Sequence, residues 1–171
     1  MAAQSTVKAA EIPKNDAHIY NEGFLGGLIG ALTVAAWFLI VDSFQGRPLL
    51  TPSILGSALF KGGAGLISLQ TYPISFEMVL MFTWVHGMVF VAIGVACAWL
   101  LDLAERDPNY GIGILILFVI LEFGFIGVGL IFADKVLQAL AIPDILIGNL
   151  LAAGTMGAFF WKRHPHLKIH P

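Results

Sequence analysis

His86 and Glu122 are ionisable residues in the middle of two otherwise apolar stretches of the sequence. Inside the hydrocarbon core of a membrane such residues are costly, so they usually face the protein interior, where they pair, bind a ligand or carry protons. Imidazole is in addition a ligand for the iron or magnesium of tetrapyrroles. The chemistry open to these two residues is therefore hydrogen bonding, proton movement or cofactor ligation.

The two residues are predicted at similar depths in a membrane. His86 lies about ten residues into its apolar stretch, or about 15 Å at about 1.5 Å per residue. Glu122 lies about twelve residues into its own stretch, or about 18 Å, and both depths are near the middle of a core about 30 Å thick. Since successive helices are usually neighbours, His86 and Glu122 could form a hydrogen bond or an ion pair. Asn149 and Thr33, in two other apolar stretches, could extend this buried polar group.

Three roles are open to the buried polar group. In a structural role, His86 and Glu122 bind each other or a backbone carbonyl and fix helix rotation, with each hydrogen bond worth about 0.6 kcal/mol. In a cofactor role, His86 is an axial ligand of haem or of (bacterio)chlorophyll. A haem held by two histidines of this chain is not expected, because the other histidines lie in the tails: His18, His164, His166 and His170. In a relay role both side chains carry protons, although few polar residues connect them to either surface.

Composition places these residues in a membrane protein. Of the 171 residues, 58% are hydrophobic and only 12% are charged, whereas about a quarter of an average soluble domain is charged. Four apolar stretches are long enough to cross the hydrocarbon core as helices: residues 24–41, 76–100, 110–132 and 143–161. The predicted fold is all-α, a bundle of four transmembrane helices over residues 23–161. An N-terminal tail (1–22) precedes it, with a short helix from about Asp16 that runs into the first span, and a basic, histidine-rich tail (162–171) follows it.

Charge predicts the orientation of the bundle. Six of the nine lysines and arginines lie on the side of the two termini and three on the opposite side. The positive-inside rule therefore places both termini in the cytoplasm, with the inner membrane of a bacterium as the expected location. Most Trp and Tyr residues fit interfacial belts, but Trp84 lies deeper than a belt residue does. Trp84 is therefore expected to pack inside the protein or against a partner.

The longest predicted loop, residues 43–75, lies on the outer side and is expected to contact a partner. Thr51 as the N-cap with Pro52 at the first helical position is typical of a helix start, so a short helix, interfacial or re-entrant, is predicted over residues 52–60. Ser75 is predicted to cap the second span. The predicted partner-contact residues, besides the N-terminal tail, are Arg47, Pro48, Thr51 and Pro52.

Small residues spaced by four along the apolar stretches predict close contacts between helices. They are Gly23, Gly27 and Ala31; Gly26 and Gly30; Gly94 and Ala98; Gly148 and Ala152; and Ala153 and Gly157. Two interpretations are open. Either these faces join helices of the same bundle, or at least one of them contacts another protein.

Several functional classes are not expected. The single cysteine, Cys97, rules out an intrachain disulfide and a cysteine-based metal site. Motifs of nucleotide-binding loops, zinc proteases and serine hydrolases are absent, and no block of Lys and Arg suggests nucleic acid. We therefore predict no metal site and no enzymatic activity.

The run Asp42-Ser-Phe-Gln-Gly46-Arg47-Pro48-Leu-Leu-Thr51-Pro52-Ser-Ile-Leu55-Gly56, together with Gly148-Asn149, resembles small bacterial four-span membrane proteins that are uncharacterised. The resemblance covers most of the chain. It implies the four-span layout and brings no activity or cofactor with it.

These patterns favour a non-catalytic accessory subunit of a larger membrane complex. Its expected partners are the lipid bilayer and other membrane subunits, and respiratory or photosynthetic electron-transfer complexes are the expected hosts. Two alternatives stay open. One is a small proton-coupled carrier or channel that uses His86 and Glu122, and the other is a tetrapyrrole-binding subunit with His86 as axial ligand.

Overall fold

The computed structural model describes residues 16–62, 72–107, 112–113, 116–117, 119–120, 123 and 142–165. Within these residues the chain forms four continuous helices: α1 Asp16–Phe44, α2 Leu50–Lys61, α3 Phe76–Arg106 and α4 Ile142–Arg163. The all-helical class is confirmed, and α1, α3 and α4 are each long and apolar enough to cross a membrane. In the predicted span 110–132 the described residues are helical. The remainder of that span, including Glu122, lies outside the described residues.

Two helix ends differ from the predicted spans. α1 begins at Asp16, where a short helix is predicted to lead into the first span. Residues 16–22, which the prediction counts with the N-terminal tail, therefore belong to the same helix as the span. α3 continues to Arg106, beyond the predicted end at residue 100. It continues because Leu101 and Ala104 are buried, while Asp102 and Arg106 form an ion pair of 3.1 Å one turn apart on the surface.

α1 and α3 pack backbone against backbone at the predicted small residues. A Cβ atom added at Gly23 would overlap the backbone of Val95, and one added at Gly27 would overlap the backbone at Phe90 and Val91. A Cβ atom added at Gly94 would overlap the Gly23 carbonyl oxygen. Glycine is required on both sides of this seam because only a missing side chain lets two helices approach so closely.

α1 packs against α4 through a different face, with side chains filling the space that glycines leave. Gly26 lies against the ring of Phe160, and Gly30 lies against Met156. These small-residue faces therefore join helices of the same chain. At Gly157, in the predicted pair with Ala153, an added Cβ atom would have no neighbour within 4 Å in the described ranges, so Gly157 contacts none of the other described helices.

Two polar contacts align α1 with α4. The hydroxyl groups of Thr33 and Thr155 are 3.1 Å apart, and the indole N–H of Trp37 donates to the carbonyl oxygen of Asp144 at 2.8 Å. The second contact lies near the start of α4. The end of the bundle where α4 starts is called the loop end, because α2 packs there against Ile145, and the opposite end, where α1 begins, is called the terminal end.

α2 confirms a short helix after the first span and corrects how it begins. The helix starts at Leu50, and its N-cap residue is Leu49 in the left-handed region (φ 70°), with no side-chain cap hydrogen bond of its own. The prediction that Thr51 caps the helix is wrong, because Thr51 lies inside the first turn. Ser75, by contrast, caps α3 as predicted, accepting from the Met78 N–H at 3.5 Å.

Candidate functional site

His86 is the eleventh of the 31 residues of α3, and its side chain turns toward α1. Its Nε2 atom is 3.3 Å from the carbonyl oxygen of Ala31. The rings of Phe82 and Phe90, one turn away on each side along α3, have centroids 5.6 and 4.7 Å from the imidazole. A backbone carbonyl and two aromatic rings therefore hold this side chain at the α1–α3 contact.

The predicted partners of His86 are not brought to it within the part of the chain that the structure describes. Glu122 lies outside the described residues, so the His86–Glu122 pair stays a prediction. Asn149 is half-buried on α4, and Thr33 is committed to Thr155 and to the carbonyl oxygen of Ile29. In the predicted structural role, His86 bonds either Glu122 or a backbone carbonyl. Its contact with the Ala31 carbonyl oxygen is of the second kind.

A second polar group, at the terminal end, joins three helices. His164 immediately follows α4, and its imidazole lies between carboxylates of the other two long helices. Nδ1 is 2.6 Å from Oε1 of Glu105 on α3, and Nε2 is 3.1 Å from Oε1 of Glu22 on α1. On α1, His18 lies one turn before Glu22, with Nδ1 3.6 Å from Oε2. We call these four residues the terminal-end cluster.

Sequence reasoning placed His18 and His164 in the tails and did not find this cluster. A signal for it exists, because Glu22 and His18 are spaced for one face of α1 and lie just before its most apolar part. Glu105 and His164 lie at the finish of two other apolar stretches. Because successive spans run in opposite directions, all three positions are expected at the same end of the bundle. The rotation of each helix about its axis then decides whether their side chains meet.

A third polar group surrounds the start of α2 at the loop end. The buried carboxylate of Asp42, near the end of α1, accepts hydrogen bonds from the Thr51 backbone N–H at 2.8 Å and from the Thr51 hydroxyl at 2.6 Å. An N–H of the first helical turn is thus bonded by a residue of the preceding helix. Asp42 therefore takes the capping role that Leu49 cannot perform.

The same region uses two of the predicted partner-contact residues internally. Thr51 is buried against Asp42, and the Arg47 guanidinium donates to the carbonyl oxygen of Tyr72. Pro48 is exposed and Pro52 is half-buried. Buried serines complete the network, since Ser57 bonds the Tyr72 hydroxyl and Ser53 accepts from the Ser75 N–H at 2.9 Å. A partner surface here would include the exposed Pro48 and the accessible part of Pro52 rather than Thr51.

Comparison with protein families, with curated proteins and with solved structures finds no match to the chain. The resemblance to small bacterial four-span proteins therefore stays an expectation. Among the described residues, no group of three or more His, Cys, Asp or Glu side chains has an arrangement that could hold a metal ion. The chemistry of the three polar groups is thus argued from hydrogen bonds and charge alone.

His86→Leu is expected to lower the free energy of unfolding by about 1 kcal/mol, because it removes one hydrogen bond inside the membrane and keeps an apolar side chain between the two rings. Unfolding of the purified protein in mixed micelles measures this loss. Met88→Leu, on the exposed side of the same helix, is the control and should be neutral. A visible absorption band in the wild type that disappears in His86→Leu would contradict the structural role and establish the tetrapyrrole role.

Proposed function

We propose that the chain is a non-catalytic accessory subunit of a larger complex in a bacterial inner membrane, with both termini in the cytoplasm. Respiratory and photosynthetic electron-transfer complexes are the proposed hosts. Support comes from the use of half-buried polar side chains of the bundle. His86, Thr33 and Trp37 each bond a group within the bundle, and such contacts fix helices in place.

The four-span layout belongs to this proposal. Contact of Glu105 with His164 places the finish of α3 at the terminal end, whereas the bond from Trp37 to Asp144 places the start of α4 at the loop end. The chain between these helices must therefore return from one end to the other. A further span within residues 110–132 is the arrangement that this return favours.

The observation that carries the accessory role is the position of Trp84. Trp84 lies about eight residues into α3, or about 12 Å from its start, and is 72% exposed. Tryptophan favours the membrane interface over the hydrocarbon core, and within the part of the chain that the structure describes no packing against another helix explains its depth. Phe76, Leu80 and Met88 continue the same face at a spacing of four, and all three are mostly exposed.

These four residues, called the α3 stripe, are the proposed contact with another membrane subunit. The stripe offers a continuous row of large apolar side chains beside Gly87, where an added Cβ atom would have no neighbour within 4 Å among the described residues. Aromatic residues beside a gap are suited to receive side chains of a partner helix, because association in lipid depends on close packing. Aromatic residues are also common anchors at interfaces between proteins.

Trp84→Ala is expected to lower the native mass of the particle that carries the chain after gentle solubilisation of its own membranes. The matched control is Leu32→Ala, since Leu32 is 61% exposed and lies next to Ala31, at the depth of His86. A photoreactive residue at position 84, but not at position 32, should form an adduct with the subunit whose mass is lost.

The carrier hypothesis predicts a different outcome from the same preparations. If the wild type runs as a monomer or a small homo-oligomer and both alanine variants run with it, the accessory role is rejected. In that case transport in vesicles, and its loss in Glu122→Gln, becomes the relevant measurement.

A further inference from the structure

We propose that Glu22 and His164 form a proton-binding site at the terminal end of the bundle, with Glu105 as its connection to the surface. The inference rests on the geometry of the terminal-end cluster. It goes beyond the accessory role and does not depend on the α3 stripe, on His86 or on Glu122.

The two carboxylates beside the imidazole favour an extra proton. The two ring nitrogens of His164 face two different carboxylates, at 2.6 Å for Glu105 and 3.1 Å for Glu22. A neutral imidazole carries one N–H, so it can donate to only one of them. The other nitrogen would then direct its lone pair at a carboxylate oxygen, which is repulsive. One proton added between the imidazole and Glu22 removes this conflict.

Burial increases the need for that proton. Oε1 of Glu22 and Nε2 of His164 are both shielded from solvent and have no hydrogen-bond partner among the described residues, so their 3.1 Å contact is an ion-pair contact and not a hydrogen bond. This separation leaves no room for a water molecule between the two atoms, and an unpaired buried charge is strongly destabilising. A proton held by the pair either gives the carboxylate an imidazolium partner or neutralises the carboxylate.

The three side chains form a path of increasing burial. Glu105 is 41% exposed, His164 is 12% exposed and Glu22 is 2% exposed. An imidazole can accept a proton at one nitrogen and release one from the other. Glu105 can thus exchange protons with solvent and pass them through His164 to the buried carboxylate.

The surrounding charges do not replace the proposed proton. On α1, His18 lies 3.6 Å from the second oxygen of Glu22 and is mostly exposed. On α3, Arg106 is paired with Asp102. On α4, Lys162 and Arg163 are exposed, and the Arg163 guanidinium lies over the Phe159 ring.

The test follows the ring nitrogens of His164 by ¹⁵N magnetic resonance in the full-length protein, labelled at histidine and reconstituted in lipid near neutral pH. The signal is assigned by its loss in His164→Gln. The wild type is expected to show both nitrogens protonated, or a protonated Glu22 carboxyl in the infrared spectrum. Glu22→Gln should remove that proton and leave a neutral imidazole, because the amide can donate to the unprotonated Nε2 while the Nδ1–H donates to Glu105.

Glu77→Gln is the matched control, since Glu77 is an exposed glutamate in the first turn of α3, at the opposite end. It should leave the His164 signal unchanged. A neutral imidazole beside an ionised Glu22 in the wild type would overturn the proposal, and so would a signal that Glu22→Gln does not alter. If Glu22→Gln does not fold, the wild-type ring and carboxyl signals alone decide between these outcomes.

Discussion

Gly94→Leu is expected to prevent formation of the native bundle, with a loss of about 3 kcal/mol or more in the free energy of unfolding. The first atom of the new side chain would overlap the Gly23 carbonyl oxygen and the Gly27 backbone nitrogen. Neither obstacle is a flexible side chain, so the only relief is separation of α1 from α3. That separation would also remove the contact between His86 and Ala31.

Gly87→Leu is the matched control for this prediction. Gly87 lies on the same helix, but an added Cβ atom there would meet no atom of α1, α2 or α4 within 4 Å. The control should therefore remain folded, while Gly94→Leu should give little protein that survives detergent extraction. Unfolding in mixed micelles, followed by circular dichroism, compares the two variants directly. Equal stability would mean that α1 and α3 do not meet at this seam.

Helix existence was the part of the fold most open to prediction. Long apolar stretches must become helices in lipid because the backbone has no other way to satisfy its polar groups. The predicted stretches 24–41, 76–100 and 143–161 accordingly fall inside α1, α3 and α4. Helix ends were less predictable, since hydropathy marks the hydrocarbon core and not the turns that continue into water.

The start of α2 shows why local signals can fail. Thr51-Pro52 has the composition of a helix start, yet the helix begins one residue before Thr51. A cap from Asp42 cannot be recognised in a local window, because it comes from the preceding helix. Leu49 in the left-handed region is likewise unexpected, since that conformation is unfavourable for residues other than glycine.

Residue counting predicts the depth of His86 in the membrane but not the direction of its side chain. Its neighbour, the backbone of α1 at Ala31, could not be identified from the sequence. The direction of the His86 side chain depends on how the helices pack at their glycine surfaces, such as the one that contains Gly94. The terminal-end cluster required the same knowledge for three helices together, so His164 was read as part of a tail.

Asp42→Ala is expected to detach the start of α2 and to cost about 3 kcal/mol of unfolding free energy. The buried N–H and hydroxyl of Thr51 would both lose their acceptor, and each unsatisfied buried group costs about 1–3 kcal/mol. The missing negative charge near the first turn of α2 would add to this loss. The stability of Asp42→Asn should lie between that of the wild type and that of Asp42→Ala, because an amide offers one oxygen and turns its NH₂ group toward the second donor.

Ser43→Ala provides the comparison, since Ser43 is the neighbouring residue but is exposed and bonds only the Leu39 carbonyl oxygen of its own helix. It should change stability by less than about 0.5 kcal/mol. Limited proteolysis between α1 and α2 would locate the effect, with faster cleavage in Asp42→Ala and wild-type cleavage in Ser43→Ala. Equal protection in all the variants would show that Ser53, Ser57 and Tyr72 hold α2 without Asp42. In that case the Asp42 carboxylate would not be the cap of α2, while the packing of α2 against α3 would remain as described.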